Sequence, residues 1–559
     1  MLKTIYNMVI FQKNRRFASS GQIIIPALVF GCIAIIVVAA LLSWASLNLK
    51  LTRQAVRKEQ ALQIAEAGND YYRWHLAHAK TDYQDGTGVA GPYVHEFADK
   101  NGDVLGQFSL EVTAPSLGST VTTIKSSGQV AGDTSTERQI RTMMAIPTMA
   151  KFAVASNSEV RFGEGTEIFG PIHSNGGIRF DGLAHNIVSS SKRSYVDPDA
   201  PKDTSFGVHT HVSPADPTVP ASPLPLPAIP SRPDVFVAGR QLSVPAVDFA
   251  GLTPDLQVMK TTAVASGIYL EPSGKKGYHL VLKNNNTVDI YKVTALKSPP
   301  HGCSNNENGW GTWTITTESL LRNSSIPANG LIFVEDDAWV DGTINNSRVT
   351  IAAARFPDVE STRASIIIND NLTYTNYGMS VSPSPTPVAQ IFKSLFSNAF
   401  AATPSASPSA TPISTPTVSP SASPAAMLDA IYVPCSSDGS VGGADVIGLI
   451  AQKNINIGLV SNNDLRIDAA LIAQYGRVGR YYYKKNDCGP TSLRNSVTLY
   501  GMIASNTRYG FSWFCSGTDY CSGYDIRNIN YDSHMLYCAP PSFPLTSDQY
   551  ETISWEEVQ

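Results

Sequence analysis

The chain has 559 residues, which is enough for several domains and at least one sizeable core. Only 16% of the residues are charged, the formal net charge is −4, and no long basic run is present. This composition argues against nucleic-acid binding, because affinity for phosphate depends on clustered Lys and Arg. The 41 Gly and 36 Pro residues favour β-strands joined by turns over a helical bundle.

The chain begins with a basic leader, residues 1–21, and continues into an uncharged apolar run at 23–42. An apolar helix of about 20 residues spans the hydrocarbon layer of a membrane, whereas the apolar part of a cleaved secretory signal is shorter. The charges before the run are all basic: Lys3, Lys13, Arg15 and Arg16. They predict a single-pass cell-membrane protein with a cytoplasmic amino terminus and an extracellular body at the cell surface.

Beyond Leu42 the chain continues without Pro through Ala79, which predicts one long helix over residues 22–80. Beyond the membrane part, apolar residues recur at spacings of three, four or seven, the pattern of a helix with one apolar face. These residues are Leu51, Ala55, Leu62, Ala65, Tyr72 and Leu76. The helix is therefore predicted to be membrane-embedded at its start and amphipathic beyond.

The basic leader, Gly21, the apolar helix and the stretch "ALQIAEAG" at 61–68 together resemble type IV pilin-like proteins, especially the PilX-type pilus-assembly proteins. In that family a prepilin peptidase cuts after the Gly, so the resemblance implies processing between Gly21 and Gln22. Pro26 occupies the position where pilins usually carry Glu. The resemblance also implies a helix that anchors and assembles through Ile23, Pro26, Phe30, Ile35, Val38 and Leu42.

After the helix, alternating apolar and polar residues predict a mostly-β body. A small β-unit is expected at 81–150 and a β-rich body at 151–378, interrupted by a Pro-rich loop at 198–233. Residues 379–426 are rich in Ser, Pro, Thr and Ala, a composition typical of a low-complexity insert that buries no core. The β-rich, cysteine-containing body is expected to continue over 427–559.

Once the insert is removed, the apolar starts of several strands recur at steps of 17–18 residues or about twice that. They are Leu331, Val349, Ile366, Ile447, Leu465 and Val497. Such a repeat favours a β-solenoid, in which each rung buries the face of its neighbour. An antiparallel β-sandwich is the alternative.

The cysteines indicate disulfide bonds in the outer body. Cys32 lies inside the apolar run, whereas the other six form an even set: Cys303, Cys435, Cys488, Cys515, Cys521 and Cys538. Six cysteines allow fifteen connectivities. The short loop between Cys515 and Cys521 makes them the preferred pair. Paired CxxC spacings that would indicate zinc are absent from the sequence.

The stretch "FGPIHSNGGIRFDGLAH" contains the best candidates for catalysis, namely His173, Asp181 and His185, and "VHTH" adds His209 and His211. A hydrolase or metal site uses such groups, but their spacing matches no metal or catalytic motif. The neighbouring Gly and Asn residues are typical of tight turns. The sequence therefore predicts no enzymatic activity, no cofactor and no metal.

Together these features predict a membrane-anchored, pilin-like component of a type IV pilus or related system, with a non-enzymatic structural or adhesive body. The expected partners are membrane lipid, other pilin-like subunits and the pilus assembly machinery, with a surface glycan or protein as a further ligand and no nucleic acid. One alternative is a single-pass anchored adhesin with a helical stalk, outside any fibre. Another is a surface polysaccharide-active enzyme on a β-helix, using His173, Asp181 and His185.

Overall fold

The computed structural model describes residues 24–115, 119–199, 202–217, 229–375, 445–516, 519–536 and 538–558. The leader, Gly21, Gln22, Ile23, Cys435 and the insert at 379–426 lie outside these residues, so the predictions made for them stay predictions. The described helices are α1 (Ile24–His78), α2 (Leu252–Ser266) and α3 (Lys485–Cys488).

The strands are mostly short. The first four are β1 (Tyr93–Ala98), β2 (Val104–Thr113), β3 (Thr122–Val130) and β4 (Asp133–Ala145). Next come β5 (Val154–Ser156), β6 (Val160–Phe162), β7 (Glu167–Ile168), β8 (Ile172–Ser174), β9 (Ile178–Phe180), β10 (Leu183–Ala184), β11 (Val188–Ser190), β12 (Ser194–Val196), β13 (Thr204–Phe206), β14 (Val208–His209) and β15 (Arg240–Leu242). After α2 follow β16 (Ile268–Leu270), β17 (Gly277–Lys283), β18 (Thr287–Leu296), β19 (Ile315–Ser325), β20 (Leu331–Val334), β21 (Ala338–Ile344), β22 (Arg348–Ala353), β23 (Ile366–Ile367) and β24 (Leu372–Tyr374). The last are β25 (Val446–Ala451), β26 (Ile455–Ile457), β27 (Asp464–Ala473), β28 (Val478–Arg480), β29 (Leu493–Ser505), β30 (Ser512–Ser516), β31 (Asp519–Tyr531) and β32 (Glu551–Val558).

The predicted long amino-terminal helix is confirmed as α1. Its side chains at 25–60 are all exposed, and we call this part the free half; residues 61–78, the docked half, pack one face against a sheet. The predicted apolar stripe is right for Ala65, Tyr72 and Leu76, which are buried. It is wrong for Leu51 and Ala55, which are exposed, since they lie outside the stretch that faces the sheet.

The sheet beneath the docked half, which we call the head, is antiparallel with the strand order β1-β2-β3-β4-β32. Alternating residues of these strands point toward the helix, as expected for a sheet with one covered face. The apolar core between helix and sheet includes Ile64, Tyr72, Phe108, Ile124 and Met144. The head is thus built from the docked half, four strands that precede the body in the sequence and one strand that follows it.

The fifth head strand corrects the prediction that all of 427–559 continues the body. The carboxy-terminal strand β32 instead pairs antiparallel with β4. Without β32, the edge of β4 would leave backbone N–H and C=O groups unpaired, and such an edge is a template for a further strand. Cross-strand ion pairs support this pairing, since Glu556 binds Arg141 and Glu557 binds Arg138.

The mostly-β body is confirmed, and most of its strands pair in parallel. One series contains β16, β20, β22, β25, β27 and β29 and continues through β5, β8, β11 and β15. A second series contains β17, β21, β23, β26 and β28. Apolar faces of the two series meet across one core in a sandwich-like arrangement.

A ladder of aliphatic side chains runs through the first series in register. It comprises Ile268, Ile332, Ile351, Leu449, Leu471, Ile503, Val154, Ile172 and Val188. The opposite face of the same strands is also buried, because Leu256, Met259 and Ala263 of α2 belong to one apolar cluster with Phe333. Burial on both faces explains why these strands read as continuous apolar runs.

Two predictions about the body differ from the structure. Ile366, placed in the same repeat as Leu331, lies on β23 and pairs with Ala338 of β21 in the second series. The predicted repeat of apolar strand starts therefore included positions from two different strand series. Within the predicted Pro-rich loop at 198–233, residues 204–209 form β13 and β14, because the prolines lie on either side of this stretch.

Candidate functional site

The free half of α1 presents a mainly apolar surface on all sides over residues 25–49. Of the predicted anchoring residues within the described chain, Phe30 is 72% exposed and Ile35 is 70% exposed, and Pro26, Val38 and Leu42 are exposed as well. From Ile24 to Leu49 the helix carries no charged side chain. A helix that is apolar all round is suited to lipid or to packing among other helices. By length and composition it is able to cross a membrane.

The docked half lies very close to the head because small residues face each other. A Cβ atom on Gly128 of β3 would overlap the carbonyl oxygen of Ala61 and would lie 2.5 Å from the backbone nitrogen of Ala65. On the helix side, a Cβ atom on Gly68 would lie 2.8 Å from the Phe108 ring. Such close packing fixes the direction of α1 relative to the head.

A polar contact marks the boundary between the two halves. Arg57 donates a hydrogen bond to Asp133 of β4 at 2.8 Å. Asp133 also accepts a hydrogen bond from the Ser135 hydroxyl at 2.6 Å. The bonds from Ser135 and Arg57 hold the pKa of Asp133 well below its usual range. The ionised carboxylate therefore ties the end of the free half to the sheet.

The three candidate catalytic residues each have a different set of partners. His173 is buried, with its ring nitrogens 3.0 Å from the Ser189 hydroxyl and 3.1 Å from the Asn175 amide oxygen. Burial lowers the pKa of His173. Asp181 accepts a hydrogen bond from Arg179 at 2.7 Å.

His185 contacts Glu167 at 2.6 Å and stacks on Phe169 with ring centroids 4.2 Å apart. Each of the three candidates thus has neighbours that account for its position in the fold.

Asp197, His209 and His211 form a cluster that was not predicted from the sequence. Their ligating oxygen and nitrogen atoms all lie within 4.8 Å of one another. Burial lowers the pKa of His209, while the neighbouring Asp197 carboxylate raises it. The HxH pattern in "VHTH" was a local signal, because residues i and i+2 share one face of a strand. Asp197 carries no such signal.

The described cysteines of the body are disulfide-bonded. Cys515 is joined to Cys521, and Cys303 is joined to Cys488 across a separation of 185 residues. Cys538 also forms a disulfide. Cys32, on the free half of α1, is a free thiol.

A cleft of about 1080 Å³ opens on the body beside the His-Asp cluster. Several arginines and aromatic side chains line it, among them Arg161, Arg179, Arg508, Arg527, Phe169 and Tyr509. Asp181 and His211 also line the cleft. Arginine and aromatic groups are adaptable contacts for polar and anionic ligands.

Comparison with known proteins found a distant similarity among solved structures. No protein family matches the sequence, and no curated protein matches it. Among solved structures, the chain is similar to the competence-associated pilin ComZ from Thermus thermophilus, at 12% sequence identity and a TM-score of 0.25. That alignment covers 90% of this chain and 97% of the ComZ chain.

Proposed function

We propose that the protein is a membrane-anchored, pilin-like component of a type IV pilus or a related system. The observation that carries this proposal is the division of α1 into a free apolar half and a half docked on an antiparallel head. The resemblance of the leader and of residues 61–68 to PilX-type proteins supports it. In this proposal the amino terminus is cytoplasmic and the body stands outside the cell.

Assembly is the proposed mechanism. The free half sits in the bilayer before assembly and packs against the helices of other pilin-like subunits afterwards, keeping its apolar surface away from water in both states. Its apolar side chains are exposed, so they remain available for either environment. The assembly machinery would act on this half, while the rigid docking of residues 61–78 transmits its position to the head.

We infer that the body is organised as a β-solenoid and acts as a structural or adhesive module without catalysis. The in-register parallel pairing of β20, β22, β25, β27 and β29 supports a stack of rungs. The contacts that hold His173, Asp181 and His185 support a structural role for these residues.

A second candidate is an anchored adhesin that never enters a fibre. The cleft lined by arginine and aromatic side chains, among them Arg161, Arg508 and Tyr509, favours it, because such groups suit contacts with a surface glycan or protein ligand. This candidate needs the same membrane helix but no processing of the leader.

Processing of the leader separates the two candidates. The full chain is expressed with a prepilin peptidase, and the amino terminus of the membrane-bound product is sequenced. A mature chain that starts at Gln22, together with an uncut Gly21→Leu variant, is the result expected for a pilin-like subunit. An intact leader in the wild-type chain contradicts assembly and leaves the anchored adhesin.

A further inference from the structure

The cluster of Asp197, His209 and His211 is formed by segments that come together only in the fold. Asp197 follows β12, which forms a hairpin with β13. His209 ends β14, and His211 lies two residues further on. The carboxylate oxygen and one nitrogen of each imidazole converge within 4.8 Å of one another. Two imidazoles and a carboxylate are a common ligand set for divalent transition metals.

Two of these atoms lack a well-formed hydrogen bond despite complete burial. Asp197 and His209 are each 1% exposed, and neither Asp197 Oδ2 nor His209 Nε2 makes a hydrogen bond of normal geometry. The two atoms lie 3.3 Å apart. A buried polar atom that makes no hydrogen bond destabilises the fold, and a bound ion is one explanation for such atoms. The His211 ring packs against that of His209, with the ring centroids 5.1 Å apart.

The surroundings of the cluster fit a metal site as well. The Tyr195 hydroxyl lies 3.4 Å from His209 Nδ1, the ring nitrogen that points away from the cluster. A partner on that nitrogen fixes the tautomer that leaves the lone pair of Nε2 free for a metal. The nearby Arg179 guanidinium is 3.8 Å from Asp197 Oδ2, but Asp181 neutralises it at 2.7 Å.

We propose that Asp197, His209 and His211 bind one divalent transition-metal ion of the Zn²⁺ class. Three protein ligands leave a fourth position for water or a ligand group. His211 also lines the cleft, so the cluster lies at its edge. The ion would tie the β12–β13 hairpin to β14 and stabilise this outer part of the body. The proposal departs from the expectation of no metal that the sequence motifs gave.

The test measures metal binding by the full chain, purified in detergent without a polyhistidine tag. The protein is stripped with a chelator, titrated with Zn²⁺ and analysed for bound metal, and Co²⁺ is used in parallel for its visible absorption spectrum. We expect one Zn²⁺ per chain, a Co²⁺ spectrum typical of imidazole ligation, and a rise in Tm on adding Zn²⁺. A wild-type chain that retains no Zn²⁺ overturns the proposal.

Variants locate the ion. His211→Gln is the main variant, because this side chain is only partly buried and its replacement should leave the packing of the interior unchanged. We expect it to abolish stoichiometric binding, and Tyr195→Phe to weaken affinity roughly tenfold or more, as for other partners of a metal-bound His. His185→Gln, a nearby imidazole paired with Glu167, is the control and should leave binding unchanged. Equal loss in His185→Gln, or full retention in a folded His211→Gln chain, contradicts the assignment.

Discussion

The two halves of α1 are one continuous helix with opposite surroundings. In the free half, bulky residues such as Phe30 and Ile35 are exposed. In the docked half, Ala61, Ala65 and Gly68 face the sheet and are buried. Small residues let the helix backbone approach the glycines of β2 and β3, while bulky residues on every side suit the hydrocarbon of a bilayer. Apolar content alone thus does not distinguish a helix half that packs on a sheet from one that is exposed, whereas the size of the residues around the helix does.

The largest expected effect is the difference between a Leu→Ala substitution in the docked half and one in the free half. Leu76 is fully buried in the head, whereas Leu47 is 56% exposed. We expect Leu76→Ala to lower the free energy of unfolding of the head by about 3 kcal/mol, since it removes buried methyl groups and leaves a cavity. Leu47→Ala should change it by less than about 0.5 kcal/mol. Chemical denaturation of both variants in the same detergent checks this. Similar losses of stability at the two sites would contradict the difference in burial between the two halves.

A second pair of variants tests the closeness of the docked half. A Cβ atom on Gly68 would lie 2.8 Å from the Phe108 ring, whereas one on Gly31 would have no atom within 4 Å. We expect Gly68→Ala to destabilise the head by about 2 kcal/mol through overpacking. Gly31→Ala should leave head stability unchanged. Thermal or denaturant unfolding measures both, and a neutral Gly68→Ala variant would show that the helix and sheet are not in such tight contact.

The smallest expected effect concerns the boundary between the halves. The folded-state pKa of Asp133 is lowered by Ser135 and Arg57, so its contribution to stability is present above the unfolded-state pKa of ~3.9. That contribution is lost as the pH falls toward the folded-state pKa. Wild type should therefore be more stable than Asp133→Asn at neutral pH, and the difference should shrink in acid. Arg57→Met should lose part of the same stability at neutral pH. A stability difference between wild type and Asp133→Asn that does not change with pH contradicts this account.

Local patterns could be predicted from the sequence, and long-range pairings could not. The apolar run and the buried positions Ala65, Tyr72 and Leu76 follow from helical spacing, which neighbouring residues determine. The pairing of β32 with β4 joins segments about four hundred residues apart and has no local signal. The Cys303–Cys488 disulfide is of the same kind.

The candidate metal site shows the same limit. His209 and His211 share one side of an extended segment and could be noticed in "VHTH". Asp197 joins them only because β12 pairs antiparallel with β13, and no motif in the sequence specifies that pairing. The acidic ligand was therefore invisible before the structure.

The most direct test of the central claim measures the exposure of each half in native membranes. Cys32, the free thiol on the free half, is compared with a Trp74→Cys variant, in which the new thiol replaces a side chain 59% exposed on the docked half. A membrane-impermeant maleimide is added under non-reducing conditions, and labelled peptides are identified by mass spectrometry, with Cys32→Ser as the control. The account predicts labelling at position 74 and protection of Cys32 until the protein is denatured. Labelling of Cys32 in intact membranes as fast as at position 74 would contradict it.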